Sequence, residues 1–159
     1  MLPAASRYAS ALGIFRILTG IWWFVHGYLK LTSPDWGGPS GTCANIMQHM
    51  ASGTSGPYHD FMTNVAIPHA STIAMLVALG ETLTGVSLIL GLLTVVGGIV
   101  GTFLVLNYWT AGGGYGDLGS YSGLETGMMI CTAIHAALPT GLVYGLDGLV
   151  ARRAKKPAS

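Results

Sequence analysis

Four long apolar runs organise the chain: residues 11–31, 69–92, 95–110 and 124–146. A bilayer core about 30 Å thick is crossed by about 20 helical residues at ~1.5 Å each, so the pattern predicts four helical spans. Trp22, Trp23 and Tyr28 fall in the second half of the first run, where interfacial aromatics collect. Leu93–Thr94 leaves room only for a very tight turn between the second and third runs. The first connection, 32–68, is long and rich in Gly, Ser and Pro. It cannot lie in lipid, where irregular backbone would leave polar groups unsatisfied. Within it, apolar residues at 43, 46, 47 and 50 repeat at i, i+3, i+4 and i+7. That spacing predicts a short amphipathic helix over 43–51, lying on the membrane or capping the bundle. Residues 58–66 suggest another. A loop of this length with structure of its own is more often functional than not. Residues 111–123 form a glycine-rich loop. In the last run, Pro139 removes a helix hydrogen bond and is expected to kink the span. The expected fold is all-α: an integral membrane four-helix antiparallel bundle in a single transmembrane domain, with an elaborated extracytoplasmic first loop and a basic tail over 147–159.

Composition strengthens the membrane reading. Of the 159 residues, 51% are hydrophobic and 8% charged, with a mean hydropathy of +0.57, whereas soluble domains carry about 25% charged residues. A net charge of +1 and no basic stripe exclude an electrostatic grip on nucleic acid. The 24 glycines suit close helix packing in lipid. Residues 1–10 carry Arg7 as a signal peptide's leading region would. However, Arg16 interrupts the apolar stretch and no small-residue cleavage site follows, so the segment reads as an uncleaved start. Arg7, Arg152, Arg153, Lys155 and Lys156 flank the termini, while the opposite loops hold Lys30 against Asp35, Asp60 and Asp117. The positive-inside rule then places both termini in the cytoplasm and the protein in the inner (plasma) membrane.

The candidate chemistry lies in the ionisable groups within the runs. A charge there costs at least ~2.5 kcal/mol and is a functional hypothesis by default. Measured from the cytoplasmic ends at ~1.5 Å per residue, Arg16 lies ~7 Å deep, Glu81 and His135 ~16 Å, Asn107 ~18 Å and His26 ~22 Å. Arg16 and Glu81 are the expected ion pair and the candidate catalytic residues. Pairing with a guanidinium would hold Glu81 ionised against the desolvation that protonates a buried carboxyl. Arg16, Thr19, Trp23, His26 and Lys30 recur at steps of three or four, as do Glu125, Met128, Thr132, His135 and Pro139. The two stripes would line a polar channel, with Lys30 and Glu125 closing its outer mouth. His26, His135, Asn107 and Trp23 are the candidate cofactor-binding residues. His26 and His135 at similar depth would suit the axial pair of a haem, and either alone a chlorophyll-type pigment. No metal site is expected: His49, His59 and His69 are widely spaced, no Cys/His ligand spacing occurs, and Cys43 and Cys131 read as free thiols. Residues 112–119 are glycine-rich but neither follow a strand nor precede a Lys-Ser/Thr, so they fail as a phosphate loop.

These motifs together resemble the DoxX family. Its opening signature is matched by Arg16, Gly20, His26, Gly27, Lys30 and Leu31. A second pattern is matched by Glu81, Gly85, Leu88, Leu90, Gly91, Leu92 and Thr94, and a closing one by Gly145 and Asp147. The resemblance implies a small four-helix membrane protein. Some relatives are subunits of thiosulfate:quinone oxidoreductase, which pass electrons from a sulfur substrate to membrane quinone, and others partner membrane redox complexes. The expectation is a redox-complex subunit in contact with the lipid bilayer and other membrane subunits, with a quinone hydrogen-bonded by Arg16, His26 or His135. The alternative is a non-catalytic accessory subunit of a respiratory or photosynthetic complex, holding a haem or pigment through His26 or His135. A transporter is the weaker reading, since four spans without an internal repeat rarely suffice. The sequence does not decide whether the protein is an enzyme.

Overall fold

The computed structural model describes residues 4–111 and 123–154, with side chains described over 7–111 and 126–154. The described chain is helical: α1 (Ala4–Thr32), α2 (Thr42–Ser52), α3 (Gly56–Phe61), a π turn (Met62–Ala66), α4 (Ala70–Leu90), α5 (Thr94–Ala111), α6 (Gly123–Ala137), a 3₁₀ turn (Thr140–Leu142) and α7 (Leu146–Ala154). Among the described residues, three helices are long and apolar enough to cross a membrane: Arg7–Thr32 within α1, then Ala70–Leu90 and Thr94–Ala111. They match the first three apolar runs to within a few residues, except that α1 begins earlier, at Ala4. The amphipathic helix expected over 43–51 is α2, and 58–66 is covered by α3 and the π turn.

The fourth run departs from expectation. Pro139 does not kink a continuous span over 124–146 but ends it. The last α6 bond is donated by the Leu138 N–H to the Ile134 carbonyl at 2.9 Å. Proline has no N–H and its ring excludes the preceding helical turn, so the chain breaks into the 3₁₀ turn and an extended Val143. At 15 residues, α6 is about 22 Å long, short of the ~30 Å that a bilayer core requires.

Helices α1 and α4 pack along most of their length, α4 continues antiparallel into α5, and α5 packs on α6. The α1–α4 seam is made by glycines. A Cβ on Gly20 would lie 2.7 Å from the Ile89 nitrogen, and one on Gly27 or Gly85 would overlap the main chain of Thr82 or Phe24. Small residues at a helix crossing let backbones touch, which replaces the hydrophobic drive that lipid removes. At the centre, Trp23, Leu88, Leu104, Val105 and Met128 form one buried cluster. A second cluster, including Cys43, Ala44, Met47, Met62, Ala66 and Ala74, packs α2 and the π turn onto α4.

Gly85→Ala is expected to lower stability by about 1–3 kcal/mol, the usual cost of overpacking. Gly127→Ala, whose added methyl would meet nothing within 4 Å among the described residues, is expected to be neutral or to gain up to about 1 kcal/mol of helix propensity. Thermal unfolding of the purified protein in detergent compares the two.

Candidate functional site

The polar side chains separate into two layers, one at each end of the α1–α4 pair. Arg16, fully buried, does not meet Glu81. Its Nε donates to the Leu88 carbonyl at 2.8 Å, Nη1 to the carbonyls of Thr140 and Val143 at 2.8 Å each, and Nη2 to that of Tyr144 at 2.9 Å. Three of these carbonyls belong to the stretch after Pro139, where the α-helical pattern of acceptors has ended; the Thr140 carbonyl also accepts from the Val143 N–H at 3.3 Å. The guanidinium sits in a slot between two glycines: a Cβ on Gly91 would lie 2.7 Å from Nη1, and one on Gly145 2.8 Å from it. Gly91 also closes α4 in the left-handed region, at φ 65°, which a residue with a Cβ reaches only at a cost.

Asp147 completes this layer. Its carboxylate accepts from the Leu93 N–H at 2.8 Å, the Thr94 N–H at 3.2 Å and the Thr94 hydroxyl at 3.0 Å, while its own N–H donates to the Gly91 carbonyl at 2.8 Å. It therefore caps α5 from more than fifty residues away. Leu93 (φ 53°) and Tyr144 (φ 51°) are non-glycine residues held left-handed, at a cost of order 1–3 kcal/mol each. The Asp147–Leu93 and Arg16–Tyr144 bonds hold the two conformations.

Glu81, 1% exposed, belongs to the other layer. Its Oε1 pairs with Lys30 Nζ at 2.5 Å and accepts from the Tyr108 hydroxyl at 2.8 Å. The expected Arg16–Glu81 pair is thus corrected to Lys30–Glu81. The α1–α4 register fixed by the glycine seam sets Lys30, not Arg16, against Glu81. Lys30 also lies over the ring faces of Trp36 and Tyr108, at 4.8 and 5.3 Å from their centroids, which favours the cation. Glu81 Oε2 is buried without a protein partner among the described residues. The Glu125 side chain, expected to pair with Lys30, lies outside the described residues, as does the glycine-rich loop.

Beside this layer opens an apolar pocket of about 390 Å³, within the range of small-molecule sites. Met47, Tyr58 and Met62 form its wall on the cap, with Gly80 on α4 and Leu104 and Tyr108 on α5. Leu76 and Phe103 border it and are 59% and 62% exposed on the flank of the helix pair. The Trp36 ring lines it too, and its Nε1 donates to the Ala74 carbonyl at 2.9 Å, pinning the cap to α4. The Cys43 thiol faces the pocket, and burial foremost raises its pKa, with Lys30 opposing and Glu81 adding. Burial thus favours the thiol over the thiolate at this wall of the pocket. Cys131 is also free.

The candidate cofactor residues do not converge. His26 bonds the Trp22 carbonyl through Nδ1 at 2.9 Å and stacks on the Trp22 ring at 4.0 Å. His135 shares a hydrogen bond with the Thr140 hydroxyl at 3.1 Å and packs on Phe15 at 5.3 Å. Phe15 precedes His26 by eleven residues of α1, about 16 Å, so the two histidines sit at different depths and do not form an axial pair. The break at Pro139 is the cause: it leaves His135 near the end of α6, at the Arg16 layer. Trp23 is fully buried in the central cluster and its Nε1 has no protein partner among the described residues. Asn107 borders the pocket, and its Nδ2 donates to the Phe103 carbonyl of its own helix at 2.7 Å. Tyr108 was not among the candidates, because its role depends on α5 facing α4 at the height of Glu81.

Residues 11–113 match the DoxX family. The chain belongs to this family. The match runs from α1 to just past α5 and includes both the Arg16 and Glu81 segments, while the Gly145–Asp147 segment lies beyond it. With its three span-length helices, the DoxX chain is an integral membrane protein in contact with lipid. Searches of curated proteins and of solved structures found no match.

Arg16→Lys keeps the charge but replaces a planar fork with one nitrogen that cannot reach four carbonyls. It is expected to cost about 3–5 kcal/mol, as loss of one partner from a buried charged network does. Thermal unfolding checks this; Arg7→Lys, outside the layer, is the control expected to be neutral.

Proposed function

We propose that this DoxX protein is an integral subunit of a membrane redox complex, and that the apolar pocket beside Tyr108 takes up the ring of a membrane quinone. The observation that carries this reading is the pocket's composition. Its walls are almost wholly apolar, and Leu76 and Phe103 on its rim are exposed along the flank of α4 and α5. A polar relay of Tyr108, Glu81 and Lys30 stands behind one wall. A quinone carries two carbonyl acceptors on a ring whose remaining surface is apolar, and the pocket supplies that balance. On binding, the Tyr108 hydroxyl would turn its proton from Glu81 Oε1 to a quinone carbonyl, while Glu81 stays paired with Lys30. Arg16, fully engaged with carbonyls, serves architecture in this reading rather than catalysis. The quinone supplies the electron-accepting chemistry; the chain binds and orients it and excludes water.

Arg7, Arg152 and Arg153 lie toward the Arg16 end and Asp35 and Asp60 toward the capped end. The positive-inside rule then supports cytoplasmic termini in the plasma membrane, with α6 and the broken stretch after it as the fourth crossing. A second reading, a non-catalytic accessory subunit holding a haem or pigment, draws its support from His135 Nε2, buried with no protein partner among the described residues. A visible absorption band in the purified protein, lost in His135→Ala, would favour it over the first.

Saturable quenching of tryptophan fluorescence by a short-chain quinone tests the lead. Wild-type protein is expected to bind, Tyr108→Phe to weaken binding about 2–10-fold, the worth of one hydrogen bond, and Gly80→Phe to abolish it by filling the pocket, all without loss of fold. Wild-type affinity in both variants would refute the site.

A further inference from the structure

A second groove lies at the opposite end of the molecule, between the end of α4 and α7, with a volume of about 380 Å³. Its walls are Leu90, Leu142, Leu146 and Leu149, and Arg152 borders it. The four leucines are 47, 46, 38 and 53% exposed, so no other part of the described chain covers them. On α7, Leu146, Leu149 and Arg152 follow at steps of three, placing two apolar side chains and then a cation along one groove. The acidic residue of α7, Asp147, does not neutralise Arg152, because its carboxylate is spent on the Leu93 and Thr94 amides. The same bonds clamp the start of α7 against the α4–α5 turn, at the level where two membrane-length helices end. An exposed leucine wall closed by an arginine at that level matches the order of groups in a lipid, acyl chain then phosphate.

We propose that this groove holds one anionic phospholipid, its phosphate on Arg152 and an acyl chain along the four leucines. An amphipathic helix at the end of membrane-crossing helices meets the headgroup boundary, where buried apolar area and attraction to anionic lipid act together. A zwitterionic lipid offers the same chains but no net charge, and a free phosphate offers the charge without the chains. The site takes neither in place of the anionic lipid.

Native mass spectrometry of the full-length protein released from detergent tests this. Phosphatidylglycerol and phosphatidylcholine with identical chains, and glycerol phosphate as headgroup alone, are titrated in parallel. One phosphatidylglycerol per chain is expected to be retained and the other two ligands lost. Arg152→Gln is expected to weaken retention about fivefold, the contribution of one basic residue at an anionic surface, and Arg153→Gln, just outside the groove, less than twofold. Leu149→Asn is expected to weaken it with the charge intact. Equal losses in the two arginine variants would reduce the effect to general surface attraction and overturn the site. So would equal retention of phosphatidylcholine, or glycerol phosphate binding as tightly as the lipid.

Discussion

Four hydrogen bonds from one guanidinium hold together the end of the molecule where its regular structure fails. Non-helical backbone at membrane depth survives only where its polar groups are satisfied within the protein. Arg16 lies inside a span-length helix, and its partners include three carbonyls of the stretch that Pro139 releases from α6. A buried arginine and a broken helix would each be costly alone; joined, each supplies what the other lacks. The arginine gains carbonyl oxygens in place of water, and the break gains donors in place of helical amides. Gly91 and Gly145 make room for the guanidinium, and Asp147 ties the same turn to the start of α5.

This division of labour leaves Glu81 to the other end. Its Lys30–Tyr108 arrangement stands beside a pocket that the first connection, with α2 and α3, closes against α4 and α5. The connection is a wall of the candidate site, and Trp36 fastens it there while offering its ring face to Lys30. The two polar layers thus hold different offices, structural support at one end and a ligand-facing cluster at the other, separated by the glycine seam and the buried Trp23 layer.

The helices α1, α4 and α5 were legible because each is an uninterrupted apolar run, and α2 because its apolar residues repeat with helical spacing. The partner of Arg16 was not legible, since a search among side chains overlooks main-chain acceptors, and these exist only because Pro139 ends α6. The depth rule also counted the run over 124–146 as one continuous, kinked span, which set His135 at a depth similar to that of His26 and suggested an axial pair that the break removes. Depth placed Glu81 between Arg16 and Lys30, and the sequence reading paired it with Arg16. The choice is made by Gly20, Gly27 and Gly85, whose contacts fix how α1 slides against α4. Asp147 gave a local signal only as part of a family resemblance, because its cap acts on a helix far away in sequence.

The separation of the two layers is tested most directly by double-mutant cycles on unfolding free energy, pairing Glu81→Gln with Lys30→Met and, separately, with Arg16→Lys. The expected result is a coupling of about 0.5–3 kcal/mol between Lys30 and Glu81, as residues in one polar network show, and additivity within about 0.5 kcal/mol for Arg16 and Glu81. Coupling of Glu81 to Arg16 instead of Lys30 would contradict the arrangement described here.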